Sequence, residues 1–275
     1  MQPSRRPRPL FGAAMTEALG AVPAFGSWAA LYQRFRPGYP APVFDRLAGL
    51  VGADHDLCVE LGAGSGQATP DLLELFDRVI AVEPDRAMAS LIPPSPRLHV
   101  VVESAERAQV APGSAQAVVA ATAYHWMDQI AVARRAALWL APGGVFFAFA
   151  YGKVQYPDAS RAVMELFQRQ MRQARAHMDD RISSWRPYDR SLRESKAFPL
   201  VEAFEIYVEH SWTPAQAAGF MATTSFGQAL ARSTGDPDAY LERLTDELAV
   251  AAGGRPIIAR IPIEGAYGRV GTTIS

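Results

Sequence analysis

The sequence contains one cysteine, almost no net charge and little lysine, and each shortage excludes a class of protein. Cys58 has no partner for an internal disulfide and lies inside an apolar run, so we expect a core residue in a protein of the cytoplasm. The formal charge of −1 gives no basic excess of the kind that binds nucleic acid or an anionic membrane. Arginine far outnumbers lysine, which is typical of a GC-rich bacterial genome. We therefore expect a small-molecule partner.

Long hydrophobic runs are also missing. No stretch approaches the ~20 apolar residues of a membrane span. Residues 1–31 begin with a basic segment, but prolines and Glu17 interrupt them too early for a signal peptide, and we interpret them as an N-terminal arm. With 275 residues, of which 49% are hydrophobic, the chain is long enough to bury a full core.

Apolar runs alternate with amphipathic helical stretches between residues 56 and 150, a pattern that predicts an open parallel α/β sheet covered on both faces. The predicted strands are Leu57–Leu61, Val79–Glu83, Leu98–Val102, Ala117–Ala121 and Val145–Ala150. The predicted helices cover residues 67–76, 85–92 and 129–140, and "APGG" at Ala141–Gly144 predicts a turn after the last of them.

The pattern changes after Tyr151, where helical spacing dominates. The sequence predicts a cofactor-binding core at 32–153, a helical cap insertion at 154–200, and further sheet strands at 201–275 that enclose a helical insertion at 213–250. We expect the helices within 158–198 and 213–250 to form a lid that becomes ordered when ligands bind and that excludes water.

Three glycines, Gly62, Gly64 and Gly66, follow the first predicted strand in "VELGAGSG". Such a turn directs backbone amides and a helix N-terminus towards the crevice at the end of the sheet, where nucleotides bind. The dinucleotide pattern G-x-G-x-x-G requires glycine where this chain has Gln67, and no Walker A sequence follows. A nicotinamide-dependent oxidoreductase and a catalytically silent cofactor-binding protein remain as alternatives.

Four segments in this order resemble the class I S-adenosylmethionine-dependent methyltransferases, in particular a small-molecule branch that includes trans-aconitate methyltransferase-like proteins. "VELGAGSG" is similar to the family's first motif, E/D-x-G-x-G-x-G, and "VIAVEPD" to its second, in which an acidic residue, here Glu83, binds the ribose hydroxyls. "ESAE" at Glu103–Glu106 corresponds to the adenine edge. "YQRFRPGYP" at Tyr32–Pro40 is similar to the branch's lead-in segment, Y-x-x-x-R-P-x-Y-P.

The resemblance implies a Rossmann-like sheet of seven mostly parallel strands with a mainly helical cap. It also implies S-adenosyl-L-methionine as the cofactor and S-adenosyl-L-homocysteine as the product. By the same resemblance, the cofactor-binding residues are Tyr32, Arg36, Glu60, Gly62, Ala63, Gly64, Gly66, Glu83, Pro84, Met88, Ala105, Glu106 and Ala121.

"AYHWMD" follows the fourth predicted strand and is expected to face the crevice beside the transferred methyl group. Tyr124, His125 and Trp126 are therefore candidates for the wall that contacts the methyl acceptor. His125 is the candidate catalytic residue, either as a general base or as a residue that positions the acceptor. The five histidines are scattered and form no metal-binding spacing, so we expect no metal.

The expected acceptor is an O or N atom of a small organic molecule, in secondary metabolism. The fourth strand lacks the N/D-P-P-Y/F pattern of enzymes that methylate flipped bases, which disfavours a nucleic-acid acceptor. The sequence gives no prediction of the oligomeric state.

Overall fold

A seven-stranded sheet forms the centre of the computed structural model, which describes residues 34–35, 38–177 and 186–272. The strand order is β3-β2-β1-β4-β5-β7-β6, and β7 alone runs antiparallel to its neighbours. The strands are β1 Leu57–Leu61, β2 Arg78–Val82, β3 Leu98–Val101, β4 Ala115–Ala121, β5 Leu140–Tyr151, β6 Leu200–Trp212 and β7 Ile257–Arg269. The predicted Rossmann-like, mostly parallel sheet of seven strands is confirmed.

Helices cover both faces of this sheet and form a separate group beside it. They are α1 Ala41–Val51, α2 Thr69–Leu75, α3 Arg86–Ala89, α4 Gln129–Trp139, α5 Arg161–Ala174, α6 Tyr188–Ser195, α7 Pro214–Ala222, α8 Ser225–Thr234 and α9 Pro237–Ala252, with 3₁₀ turns at Tyr124–Trp126 and Arg175–His177. Local sequence sets several starts: Asp128 caps α4, Ser160 caps α5, and Thr213 forms a capping box on α7.

The central strands are buried on both faces because helices pack on each side. All five residues of β1 are buried. On one face, α4 and α6 pack against β4 and β5 in a cluster that includes Tyr124, Phe146 and Leu192. On the other face, α1 and α2 contribute residues such as Phe44 and Leu72 to a second cluster. These layers hold the carboxyl ends of β1, β2 and β4 at one edge of the sheet, where the candidate site lies.

The helical cap consists of α5, α7, α8 and α9, which share one hydrophobic cluster with the first residues of β7. The sequence placed 154–200 in the cap, but α6 within that range packs in the sheet layer. Leu192 is fully buried there, Arg134 donates from Nε to the carbonyl oxygen of Ser195 (3.1 Å), and Ser191 hydrogen-bonds Gln129. The expectation of a lid is therefore restricted to the other four helices, for which it stays a prediction.

The predicted turn at Ala141–Gly144 is wrong as a stop between helix and strand. β5 already begins at Leu140, which pairs with Ala115, and the register shifts before Ala117. Gly143 has a φ of +79°. The glycines therefore permit a bulge inside a twelve-residue strand. None of the helices in the described ranges is long and apolar enough to cross a membrane.

Candidate active site

The glycine-rich turn joins β1 to α2 and brings three strands together. Gly62, Gly64 and Gly66 have φ angles of +66°, +59° and +83°, a region that side chains disfavour. The backbone amides of Gly62 and Ala63 both donate to the carbonyl oxygen of Val82, at 2.8 and 3.1 Å. The turn is thereby fixed to the end of β2.

Gly62 also needs to be glycine because the segment after β4 approaches it closely. A Cβ atom at Gly62 would lie 2.5 Å from the Cβ of Ala123 and 3.2 Å from the Cε of Met127. The turn after β1 and the turn after β4 are therefore in contact. This contact places the segment that is predicted to face the acceptor next to the predicted cofactor turn.

Glu83 connects the glycine turn to the segment after β2. Its Oε2 accepts a hydrogen bond from the backbone amide of Gly64 (2.8 Å), and its Oε1 accepts one from that of Asp85 (3.0 Å). Burial raises the pKa of Glu83, while the two backbone hydrogen bonds oppose that rise. Each carboxylate oxygen keeps a further lone pair, so both can still accept hydrogen bonds from a pair of hydroxyl groups.

Glu60 is the second buried carboxyl group of the site. It is only 2% exposed, and its Oε2 accepts a hydrogen bond from Thr69 Oγ1 at 2.6 Å. Burial, with a smaller contribution from the charge of Glu83, raises the pKa of Glu60 to about 8 although the Thr69 hydroxyl opposes the rise. Because burial disfavours the ionised forms of both carboxyl groups, a ligand that carries positive charge would stabilise those forms.

The segment after β2 is fixed by backbone-capping contacts. Asp85 Oδ1 accepts hydrogen bonds from the backbone amides of Ala87 (2.6 Å) and Met88 (3.0 Å), and this cap starts α3. Met88 and Ala105 are buried. Three further predicted residues lie at or just after the ends of β1, β2 and β4. They are the buried Ala63, the exposed Pro84 and the buried Ala121.

Glu106 makes a structural contact that the sequence did not suggest. Its Oε1 accepts a hydrogen bond from the backbone amide of Asp128 at 3.0 Å, which ties the turn after β3 to the start of α4. The predicted contacts of Tyr32 and Arg36 lie outside the described residues.

The prediction that Tyr124 contacts the acceptor needs correction. Tyr124 is fully buried, and its hydroxyl donates to the carbonyl oxygen of Gln129 at 2.5 Å. Its ring packs on Phe146 and Tyr188. Because the 3₁₀ turn directs Tyr124 into the sheet layer, the ring packs beneath the turn against the core. It has no exposed surface that a ligand could contact.

His125 and Trp126, the other two predicted wall residues, remain accessible. Trp126 is 44% exposed, and its ring lies 5.0 Å from the half-buried imidazole of His125. His125 Nδ1 is hydrogen-bonded to the hydroxyl of Tyr188 at 2.9 Å. Burial lowers the pKa of His125 to about 4, so the imidazole is neutral at pH 7.

Comparison with known proteins agrees with this geometry. The methyltransferase domain family matches residues 59–148, which run from within β1 through the glycine turn into β5. A solved structure from Anaeromyxobacter dehalogenans, described as a type II methyltransferase, is 30% identical, and the match covers 86% of this chain and 99% of that one with a TM-score of 0.71. The chain belongs to the class I S-adenosylmethionine-dependent methyltransferase family.

Two curated relatives of this methyltransferase resemble it over a shorter stretch. A protein of Dictyostelium discoideum described as a methyltransferase is 27% identical over 138 residues, which cover 50% of this chain and 52% of the relative. An uncharacterized methyltransferase of Mycobacterium bovis is 34% identical over 122 residues, which cover 44% and 49%. The chain thus spans about half the length of the curated relatives it matches.

Two contacts of the methyltransferase were missed at the sequence level. Thr122, directly after β4, has a φ of +55°, which is unusual for a β-branched residue. Its Oγ1 accepts a hydrogen bond from the Tyr39 hydroxyl at 2.9 Å, and the Tyr39 ring stacks on Tyr151 at 5.4 Å. Tyr39 belongs to the lead-in motif, which gave a signal, whereas nothing in the sequence distinguishes Thr122.

The lead-in segment also contacts the cap. A Cβ atom at Gly219 of α7 would lie 2.2 Å from the ring of Phe35, so the ring occupies a notch that only glycine leaves open. No group of three or more His, Cys, Asp or Glu side chains in the described ranges is arranged to hold a metal ion.

Proposed function

We propose that this methyltransferase transfers the methyl group of S-adenosyl-L-methionine to an O or N atom of a small organic molecule. The observation that carries the proposal is the hydrogen bond from the Gly64 amide to Glu83, because it joins the glycine turn to the carboxylate that is predicted to bind the ribose. Nearby, Glu60 and Glu83 are both buried, and a ligand that carries positive charge would stabilise their ionised forms.

The fit of the cofactor rests on chemistry as well as on position. Bound S-adenosyl-L-methionine would supply a methyl group that its sulfonium already activates for in-line displacement. The protein then has to align the acceptor atom with the methyl carbon and sulfur and to exclude water. Glu83 would hold the ribose, and the turn at Gly62–Gly66 would allow the backbone to approach the ligand. No described residue needs to form a covalent bond to the methyl group.

The acceptor is proposed to bind beside the turn after β4. Ala123 packs closely against Gly62, so the residues that follow Ala123 lie next to the glycine turn. His125 and Trp126 provide one polar ring and one exposed aromatic surface there. A neutral imidazole beside an indole favours a small organic acceptor over a polyanion such as nucleic acid.

Titration calorimetry tests the cofactor half of this proposal. We expect saturable binding of S-adenosyl-L-methionine and of S-adenosyl-L-homocysteine to the folded protein, with NADH as the control that does not bind. If NADH binds and neither S-adenosyl-L-methionine nor S-adenosyl-L-homocysteine does, the result would favour the oxidoreductase alternative. Cofactor binding without methyl transfer to any acceptor in a broad panel would favour the catalytically silent protein.

A further inference from the structure

His125 is hydrogen-bonded to a buried tyrosine. The distance between His125 Nδ1 and the Tyr188 hydroxyl is 2.9 Å, and the two rings are nearly parallel, with 12° between their planes. Tyr188 is the first residue of α6 and is only 3% exposed. The bond therefore joins the turn after β4 to a helix of the sheet layer.

The position of the Tyr188 hydroxyl is fixed by its surroundings. The Tyr188 ring meets the fully buried Tyr124 edge to face, with 5.3 Å between the ring centroids. The α6 helix is bonded to α4 through Ser191 and Gln129, and Leu192 is fully buried one turn along α6. Tyr188 cannot turn away from His125 without disturbing this packing, so the hydroxyl is a preorganised partner for Nδ1.

The direction of the hydrogen bond follows from the chemistry of the two groups. A phenol is a stronger donor than a neutral imidazole N–H, and an imidazole nitrogen is a stronger acceptor than a phenol oxygen. Tyr188 therefore donates and Nδ1 accepts. Since one ring nitrogen of a neutral imidazole carries the proton and the other accepts, the proton of His125 resides on Nε2.

The Nε2 atom of His125 is available to a ligand. Within residues 34–35, 38–177 and 186–272, no protein group forms a hydrogen bond with this atom. The atom is also not fully buried. A histidine in this tautomer has no free lone pair, because Nδ1 is engaged by Tyr188 and Nε2 is protonated. It can donate a hydrogen bond, but it cannot remove a proton.

We propose that Tyr188 is a positioning residue that locks His125 in the Nε2–H tautomer, so that His125 serves as a hydrogen-bond donor to an oxygen atom of the methyl acceptor. This role rests on the proposed function for its substrate. It requires the acceptor to have an oxygen atom with an available lone pair. It also means that His125 orients the acceptor and does not act as a general base.

Nuclear magnetic resonance of ¹⁵N-histidine-labelled protein, without ligand, tests the proposal. Long-range ¹H–¹⁵N spectra distinguish the two tautomers, and the signals of His125 are identified by their loss in His125→Gln. We expect the wild type to show a protonated Nε2 and an unprotonated Nδ1. In Tyr188→Phe, which keeps the ring but loses the hydroxyl, we expect signals of the Nδ1–H form to appear.

Tyr124→Phe is the matched control, because it removes a neighbouring buried hydroxyl that bonds the Gln129 carbonyl and not His125. Its His125 spectrum should be the same as that of the wild type. A wild type with the proton on Nδ1 would overturn the proposal and restore a free Nε2 lone pair for general-base catalysis. Equal tautomer populations in Tyr188→Phe and wild type would overturn the positioning role.

The proposed function is assessed separately in the same proteins. The affinity for S-adenosyl-L-methionine, measured by calorimetry, should agree within about twofold among wild type, Tyr188→Phe and Tyr124→Phe, because neither hydroxyl belongs to the cofactor turn. A general failure to bind the cofactor would contradict the proposed methyl transfer. It would leave the tautomer result intact, since that is measured without ligand.

Discussion

Substitution of Glu60 by glutamine should change how the stability of the protein depends on pH. Glu60 is 2% exposed, and burial raises its pKa from 4.5 to about 8. The folded state therefore keeps its proton up to a higher pH than the unfolded state does. The contribution to stability is fully present below pH 4.5 and is lost progressively as the pH rises from there to about 8.

The size of the effect follows from the distance between the two pKa values. Each unit corresponds to about 1.4 kcal/mol, so the free energy of unfolding should fall by about 4 kcal/mol between pH 5 and pH 8 through Glu60 alone. Glutamine has nearly the same shape and can still accept the hydrogen bond from Thr69, but it does not ionise. The Glu60→Gln variant should therefore lose most of this slope.

Urea unfolding of the ligand-free protein at pH 5 and pH 8 measures the difference. Comparing two pH values within each protein removes any constant cost of the substitution itself. Glu165→Gln is the matched control, because Glu165 is an exposed carboxylate on α5 and should leave the slope unchanged. Parallel dependence of wild type and Glu60→Gln on pH would refute the burial argument.

The same carboxyl group should link cofactor binding to proton release. A cationic ligand beside Glu60 favours the ionised form and lowers its pKa towards neutrality. At pH 7 we expect S-adenosyl-L-methionine binding to release protons from the wild type and fewer from Glu60→Gln. Calorimetry in two buffers of different ionisation enthalpy counts these protons, and equal release by both proteins would place the positive charge away from Glu60.

Three further predictions concern particular contacts. Glu83→Ala should weaken S-adenosyl-L-methionine binding by about 2–3 kcal/mol through the loss of two charge-assisted hydrogen bonds, and an unchanged calorimetric Kd would exclude the assigned ribose site. Gly62→Ala should cost more unfolding free energy than Gly64→Ala, because only the first adds a clash, at 2.5 Å, to the strain of positive φ; equal losses in urea unfolding would contradict this. Gly219→Ala should destabilise the protein alone but stabilise Phe35→Ala by about 1 kcal/mol, and the same sign in both backgrounds would show that the Phe35 ring does not fill the notch.

The fold of the core could be predicted because burial and periodicity coincide there. Leu57–Leu61 is a strand at the predicted bounds, since five apolar or buried positions lie between clear turn signals. The bulge at Ala141–Gly144 could not be predicted, because the same glycines serve a turn or a kinked strand, and only the pairing with Ala115 distinguishes them. The α6 helix was misassigned because its eight residues carry too short an apolar stripe to show which layer they join.

The site was predictable only as far as motifs fix the backbone. The glycine turn and Glu83 lie together as their spacing indicated. The assignment of Tyr124 was wrong because "AYHW" forms a 3₁₀ turn, in which adjacent side chains point in different directions, and the sequence alone does not fix which one faces the core. The partner of His125 comes from α6, 63 residues away, so no local pattern could reveal it.

The lead-in segment connects the two parts of the molecule that a lid movement would separate. Phe35 occupies the notch at Gly219 on the cap, and Tyr39, four residues later, bonds Thr122 at the end of β4. Five consecutive residues span at most about 18 Å, so the two contacts limit how far the cap can move from the sheet while both persist. Opening of the cap beyond that distance therefore requires the loss of one contact. Tyr39 is held by the hydrogen bond from its hydroxyl and by the stacking of its ring, whereas Phe35 is held by packing in the notch. Because the Tyr39 ring is 5% exposed and braced by Tyr151, the contact at Gly219 is the one expected to break first.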